Sequence, residues 1–329
     1  MSVDIDSVTG PLGRLRGVTK SVIWPRSERH RERRRIVGLC LPFLILLLFS
    51  GVVPLAEMFR ISFSEARLVT EGFTLQYYEQ LLVDPYYRTV AFNTLWFALA
   101  TTITSIAIAV PVAHALAKYE LPGESVILTI LSFPNSLPGI VAAFMIIVLF
   151  GNTGLITNVI AAFSGQSAID LAIATSVGGL FLAYLYSMVP RALLLLRGTY
   201  AEVNTDAEEA ARSLGATPFE TFRYVTLPQI KPGLIGAFVL VFRTALAIFG
   251  TILILKSLLV WTLQIDREIA QGFNIAQASA MATVWFVFVF VFTLLALRYT
   301  SAEVSLLWLH RPLAVASRPG SDGVSSRSF

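Results

Sequence analysis

Few residues in this 329-residue sequence have the type and spacing to make or break bonds. The three histidines, His30, His114 and His310, are far apart, with no HExxH run or Cys/His cluster, so no metal centre is expected. No GxxxxGKS or GxxxxGKT run occurs, and the chain has no phosphate-binding loop for ATP of its own. The single cysteine, Cys40, cannot form an intramolecular disulfide and reads as a small buried hydrophobe. The acids sit in loops, and no nucleophile stands beside a base, so an intramembrane enzyme is not supported and no cofactor is expected. Two other features remain. One is residues 197–232, the long polar stretch between apolar runs. The other is a set of residues inside apolar runs, chiefly Asn135, Pro138 and Arg243.

The elements that carry them are read from composition. Hydrophobic residues make up 55% of the chain and charged residues 14%, with a mean hydropathy of +0.71. A soluble domain averages about 25% charged, so the chain is a polytopic, all-α membrane bundle. Six apolar segments are expected to span, at about 36–59, 92–117, 126–150, 171–196, 233–256 and 280–302. Each has the roughly 20 helical residues that a bilayer requires. With the N-terminus inside, 18 lysines and arginines fall on the cytoplasmic side and five on the other. Both termini are therefore expected in the cytoplasm. Residues 1–35 read as a basic tail, 36–305 as the membrane domain and 306–329 as a flexible tail. The basic run at Arg29–Arg35 suits anionic lipid as an orientation signal.

Within the loop, Thr205-Asp206-Ala207-Glu208 has capping-box form and predicts a short helix over 206–214, stopped by a left-handed Gly215. Thr217-Pro218-Phe219-Glu220 is a second capping box, with proline at the first helical position. That helix is expected to end before Pro228, since proline disfavours helical geometry in the residue before it. Ala207, Ala210, Ala211 and Leu214 share a face, and small residues there allow another surface to approach closely. Glu208 and Glu209 favour the helix dipole. Arg212 and Arg223 alone make a poor phosphate-binding surface, so no nucleic acid is expected.

Glu209-Ala210-Ala211, three residues, Gly215, nine residues, Val225, one residue and Leu227-Pro228 resemble the EAA motif of ABC importer permeases, with valine where the motif has isoleucine. The resemblance covers residues 92–305. Looser similarity at 133–156, 242–255 and 262–284 points to the permeases for polyamines, thiamine, ferric ion and 2-aminoethylphosphonate. It implies a type I importer fold, six spanning helices and residence in a bacterial or archaeal plasma (inner) membrane. It also implies two ABC ATPase subunits, an extracellular or periplasmic solute-binding protein and a second permease. A heterodimer is expected ahead of a homodimer, because related importers often use two different permeases. Glu209, Ala210, Ala211, Gly215, Leu227 and Pro228 would then couple the ATPase, which does the catalysis, to this non-catalytic subunit.

The translocation path is expected near Asn135, Pro138 and Arg243. Pro134 and Pro138 free backbone groups that only protein or a water-filled path can satisfy. An uncompensated Arg243 at the centre of a span costs about 2.5–3.5 kcal/mol on insertion scales, so it is expected to face the bundle interior or the second permease. His114, Arg191 and Arg298 lie nearer cytoplasmic ends, where their stems can snorkel. An ion-coupled secondary transporter is the alternative. It would show paired discontinuous helices or acids in the membrane, and neither is legible in the sequence.

Overall fold

A computed structural model describes residues 28–65, 72–119 and 122–309 of the chain. Of the tails expected at 1–35 and 306–329, residues 1–27 and 310–329 lie outside these residues, while 28–35 and 306–309 are helical. All regular structure among the described residues is helical. In order it comprises α1 (Glu28–Leu47), a π turn (Leu48–Val52), α2 (Val53–Ser62), α3 (Gln76–Val83), α4 (Pro85–Lys118), α5 (Glu124–Ser132), a 3₁₀ turn (Phe133–Ser136), α6 (Gly139–Phe150), α7 (Leu155–Ser164) and α8 (Ala168–Leu171). The second half comprises α9 (Val177–Tyr200), α10 (Thr205–Ser213), α11 (Pro218–Thr221), a second π turn (Phe222–Thr226), α12 (Leu227–Ala247), α13 (Gly250–Leu255), α14 (Trp261–Ala270) and α15 (Ile275–Leu309).

Six helical stretches are long and apolar enough to span: Arg33–Ser62, Pro85–Lys118, Gly139–Ser164, Val177–Tyr200, Pro218–Ala247 and Ile275–Arg298. The six-helix architecture holds, but two expected spans are not single helices. The third is broken between Ser136 and Gly139, where Leu137 and Pro138 are extended. Its apolar run continues to Ser164 but does not continue outward as one rod. Ile173 and Ala174 both donate N–H bonds to Phe150 O at 3.1 Å, so the chain after α6 returns to the end of α6. The fifth is broken at Ile248, which is extended, before α13 begins.

Proline does less damage than its reputation predicts. The fifth span starts at Pro218 and runs through Pro228, against the expectation of a stop before it, and Leu227 is fully helical (φ −58°, ψ −42°). The π turn explains this: Leu227 N–H bonds to Phe222 O, five residues back. A wide turn frees the carbonyls that the proline ring would otherwise strike. Span one uses the same device, since a π turn at Leu48–Val52 precedes Pro54, with Val53 N–H bonded to Leu48 O.

The core forms where α9 packs on α4 and α12. Tyr184, Met188, Leu193 and Leu196 of α9 are fully buried, and Phe97 meets Tyr184 edge-on at 5.0 Å. Ala109, Ala113, Ala183, Ala192 and Ala237 are buried between these helices. Small residues let backbones approach where lipid gives no hydrophobic drive to associate. Span one is different: residues 33–50 are all exposed, and it touches the bundle mainly through α2 against α15, as with Phe59 edge-on to Phe286. Cys40 lies on this stretch and is exposed rather than buried, because no helix among the described residues covers it.

Candidate coupling site and membrane breaks

The loop after α9 is organised by caps. The first helix begins one residue earlier than expected, with Asn204 as its cap in place of Thr205. Asn204 Oδ1 accepts from Asp206 N at 2.9 Å and Ala207 N at 3.4 Å. The helix ends in a left-handed Gly215 (φ 91°) with paired closing bonds, Gly215 N to Arg212 O and Ala216 N to Ala211 O. The Thr217 capping box forms as expected: Thr217 N donates to Glu220 Oε2 at 2.8 Å, and Glu220 N donates to Thr217 Oγ1 at 3.3 Å. This box opens the fifth span itself rather than a separate short helix. The loop is thus one short helix hinged directly onto a membrane helix.

Its two adjacent glutamates do opposite things. Glu209 is exposed, as are Ala210 and Pro228, while Ala211 and Leu227 are half-buried. Leu214 and Phe219 are 90% and 74% exposed and leave apolar surface on the same side of the molecule. Glu208, only 4% exposed, turns inward to bridge Lys118 at the end of α4, and Thr226 Oγ1 donates to it at 2.5 Å. Burial alone would push the Glu208 carboxyl up. The bonds from Lys118 and Thr226, and the nearby His114, outweigh it and hold the group below the usual carboxylate range. Asn204 N–H also donates to Gln229 Oε1 at 2.9 Å. One short helix is therefore fastened at once to α4 through Lys118 and to the fifth span through Thr226 and Gln229. Sequence reasoning gave Glu208 only a dipole role. The available signal was its helical spacing, one residue off the Glu209 face.

A cavity of about 570 Å³ lies beside this clasp, lined by His114, Lys118, Glu208, Arg212, Thr221 and Phe222, with others. His114 meets Phe222 edge-on at 5.1 Å.

The two membrane breaks meet each other. Thr251 Oγ1, just past the break in the fifth span, donates to Gly139 O just past the break in the third, at 2.9 Å. A Cβ on Gly139 would lie 2.7 Å from Thr251 Oγ1, and one on Gly250 would lie 3.3 Å from Ile140 N. Both glycines are needed for that approach. Paired discontinuous helices are present after all, without carboxylates beside them. The only acids inside the six spans are Glu57, paired with Arg60, and Glu220 in the first turn of span five.

Of the expected path residues, Pro138 caps α6 at the break. Asn135 Oδ1 accepts from Arg191 Nε at 3.2 Å. Arg191 therefore does not simply snorkel; it bonds to the break nine residues inside the end of α9. Arg243 is exposed and does not face the interior of this chain's bundle, because Val241, Phe242, Ala245 and Leu246 occupy the packed side of α12.

This architecture has counterparts among known proteins. The family described as "Binding-protein-dependent transport system inner membrane component" matches residues 105–304, which include the polar loop and both breaks but not span one. The chain is 31% identical over 173 residues to the thiamine transport system permease protein of Brucella abortus (strain 2308), covering 52% of this chain and 31% of that protein. It thus spans about a third of that relative's length. It is 29% identical over 233 residues to a sulfate transport system permease protein of Synechococcus elongatus, covering 68% of this chain and 77% of the other. Among solved structures, a bacterial ABC transporter involved in import of the acidic polysaccharide alginate superposes with a TM-score of 0.70 at 15% identity, covering 84% of this chain and 99% of that one. A second alginate ABC transporter structure, in complex with its periplasmic protein bound to an alginate pentasaccharide, gives 0.65 at 15% identity over 81% and 93%. The fold is that of ABC importer permeases, and the chain belongs to the family of binding-protein-dependent transport system inner membrane components.

Proposed function

We propose that this chain is the membrane-spanning half of an ATP-driven ABC importer for a small solute, with both termini in the cytoplasm. It receives the force of ATP hydrolysis through the loop at 204–217. The observation that carries this reading is the split between adjacent glutamates. Glu209 and Ala210 face outward with Leu214 as a docking surface, while Glu208 is locked to Lys118 and Thr226. A push on the docking face is delivered to α4 and to the fifth span together, since the short helix is fastened to both. A rigid element joined to two moving parts is what coupling requires. Glu209, Ala210, Ala211 and Gly215 shape the docking helix; Leu227 and Pro228 carry its motion into the fifth span past the π turn.

One such loop and six spans make half a transporter. A second permease, a paralogue ahead of an identical copy, would complete the path, with one ATPase subunit on each loop and a solute-binding protein outside. The relatives carry the names of thiamine and sulfate systems, which widens the expected solutes from polyamine, thiamine, ferric ion and phosphonate to include sulfate. The test is a mild-detergent pull-down of the tagged chain from native membranes, read by mass spectrometry. An ATPase subunit is expected in it. Absence of any ATPase, even after crosslinking through Ala210→Cys in a Cys40→Ser background, together with uptake that follows an ion gradient, would replace this reading with ion-coupled transport.

A further inference from the structure

Arg243 and Arg191 lie within about one helical turn of each other in depth. The antiparallel pair α9 and α12 is fixed in register at two points. A Cβ on Gly233 would lie 2.0 Å from Thr199 Oγ1, so these two residues are opposite each other near the inner end. Further out, Tyr184 shares the wall of one small internal gap with Ala245 and Leu246. Interpolating between the two points sets Arg243 opposite Ser187 and Met188, at the middle of α9 and about one turn from Arg191. Arg191 is in turn bonded to Asn135 at the break in the third span. Two guanidinium groups therefore stand at mid-membrane depth beside broken backbone. No carboxylate lies at that depth in any of the six spans.

The face that carries Arg243 is open. Gly236, Leu240, Arg243 and Ala247 follow helical spacing along α12, and the last three are exposed, while α4, α9 and α15 cover the other sides. A guanidinium that meets neither an acid nor this chain's own bundle at mid-depth is not tolerated against lipid; it requires water or protein. We propose that this stripe of α12 lines the solute passage between this chain and its permease partner. Arg243 and Arg191 there form a cationic constriction that passes a small anion, an oxyanion or a carboxylate. Arg191 is the better held of the two, through Asn135. Arg243 has no side-chain partner among the described residues and is free to meet the solute. A fixed positive pair without counter-charge draws anions in and repels cations, and it releases the anion again because neither arginine is locked into a closed binding cage. The inference rests on the importer reading and narrows its solute class, favouring the chemistry of a sulfate system over that of a thiamine or polyamine one.

The test needs no knowledge of the solute. In a Cys40→Ser background, Leu240→Cys, one turn from Arg243, is modified in membranes holding the whole complex. The two probes are the anionic sulfonatoethyl and the cationic trimethylammonioethyl methanethiosulfonates, added from either side. Each rate is divided by the rate of the same reagent with a free thiol in solution. The anionic reagent is expected to react at least tenfold faster after this correction, and Arg243→Gln should reduce the preference to threefold or less. Equal rates, or a preference for the cation, would overturn the proposal. So would failure of both reagents from both sides while Ser213→Cys on the cytoplasmic helix still reacts, since the stripe would then face lipid or dry protein. An ATPase retained in the pull-down alongside any of these results would sink the anion passage and leave the importer reading standing.

Discussion

The polar loop at 197–232 and the membrane breaks both interrupt helices, but they do so by different means. In the loop, the helix ends are met within a few residues: Asn204 caps the start of α10, Gly215 and Ala216 close its end, and Thr217 with Glu220 open the next helix, while Asn204 N–H reaches further, to Gln229. At the breaks the partner comes from far away, as when Thr251 bonds to Gly139 across 112 residues of sequence. Water surrounds the first region and would satisfy any group left over. Lipid offers no partner at the second, so the breaks are met by other parts of the protein, Thr251 at one and Arg191 beside the other. The loop's helix ends are specified locally; the breaks depend on partners far away in sequence.

The Glu208 clasp is where the loop departs from that local logic, and breaking it should have the largest effect. Glu208→Ala strands the Lys118 charge, a loss toward the lower end of about 3–5 kcal/mol because Lys118 can swing to water. Thermal unfolding in detergent should show that loss. The double variant Glu208→Gln with Lys118→Met should recover membrane abundance while transport stays impaired; full transport by the double variant would show that the clasp only stabilises. The clasp also has a pH signature. Glu208 is held below its ordinary value of 4.5 in the folded state, so its stabilisation is complete well above that value. It is lost as pH falls through the lower folded value. Subtracting the Glu208→Gln unfolding profile from that of the parent should leave a difference that shrinks in that acid range, and a difference independent of pH would refute the assignment.

At the breaks, Gly139→Ala would press a methyl group on Thr251, at a cost of about 1–3 kcal/mol from overpacking. Combining it with Thr251→Ala should recover most of that loss, whereas additive losses would deny that the breaks are a pair. In the loop, a Cβ at Gly215 meets no neighbour within 4 Å, so the stability cost of Gly215→Asp is mainly strain at the left-handed backbone, about 1–2 kcal/mol. The larger effect is expected on coupling, with ATPase lost from the complex and membrane abundance normal; normal transport would sink the coupling role. The smallest effect belongs to Asn204→Ala, about 1 kcal/mol from loss of the cap, read as faster amide exchange at Asp206 and Ala207.

Legibility in the sequence follows the range of the interactions. The Thr217 capping box and the left-handed Gly215 are legible because all their atoms lie within one or two turns. The stop expected at Pro228 fails because a local rule about proline is overridden by a π turn that carries the chain through. Asn135 and Pro138 stand out as oddities in an apolar run, but nothing in their spacing points to Arg191 or to Thr251. The clasp role of Glu208 is hidden for the same reason, since its partner Lys118 is 90 residues earlier. Cys40 is expected inside a bundle that does not in fact cover its helix.

The sequence by itself determined that the chain spans a membrane, that six apolar segments do the spanning, and that the polar loop at 197–232 is organised by a capping box and a left-handed glycine. Composition and short-range caps settle such things, because bilayer thickness and the first turn of a helix impose them on any chain. Only the tertiary structure decided which glutamate faces out and which is clasped, that the two breaks meet, and that Arg243 lies within about one helical turn of Arg191 in depth. Those facts depend on the register of helices far apart in sequence, and in a medium without water that register is set by where small residues let backbones close.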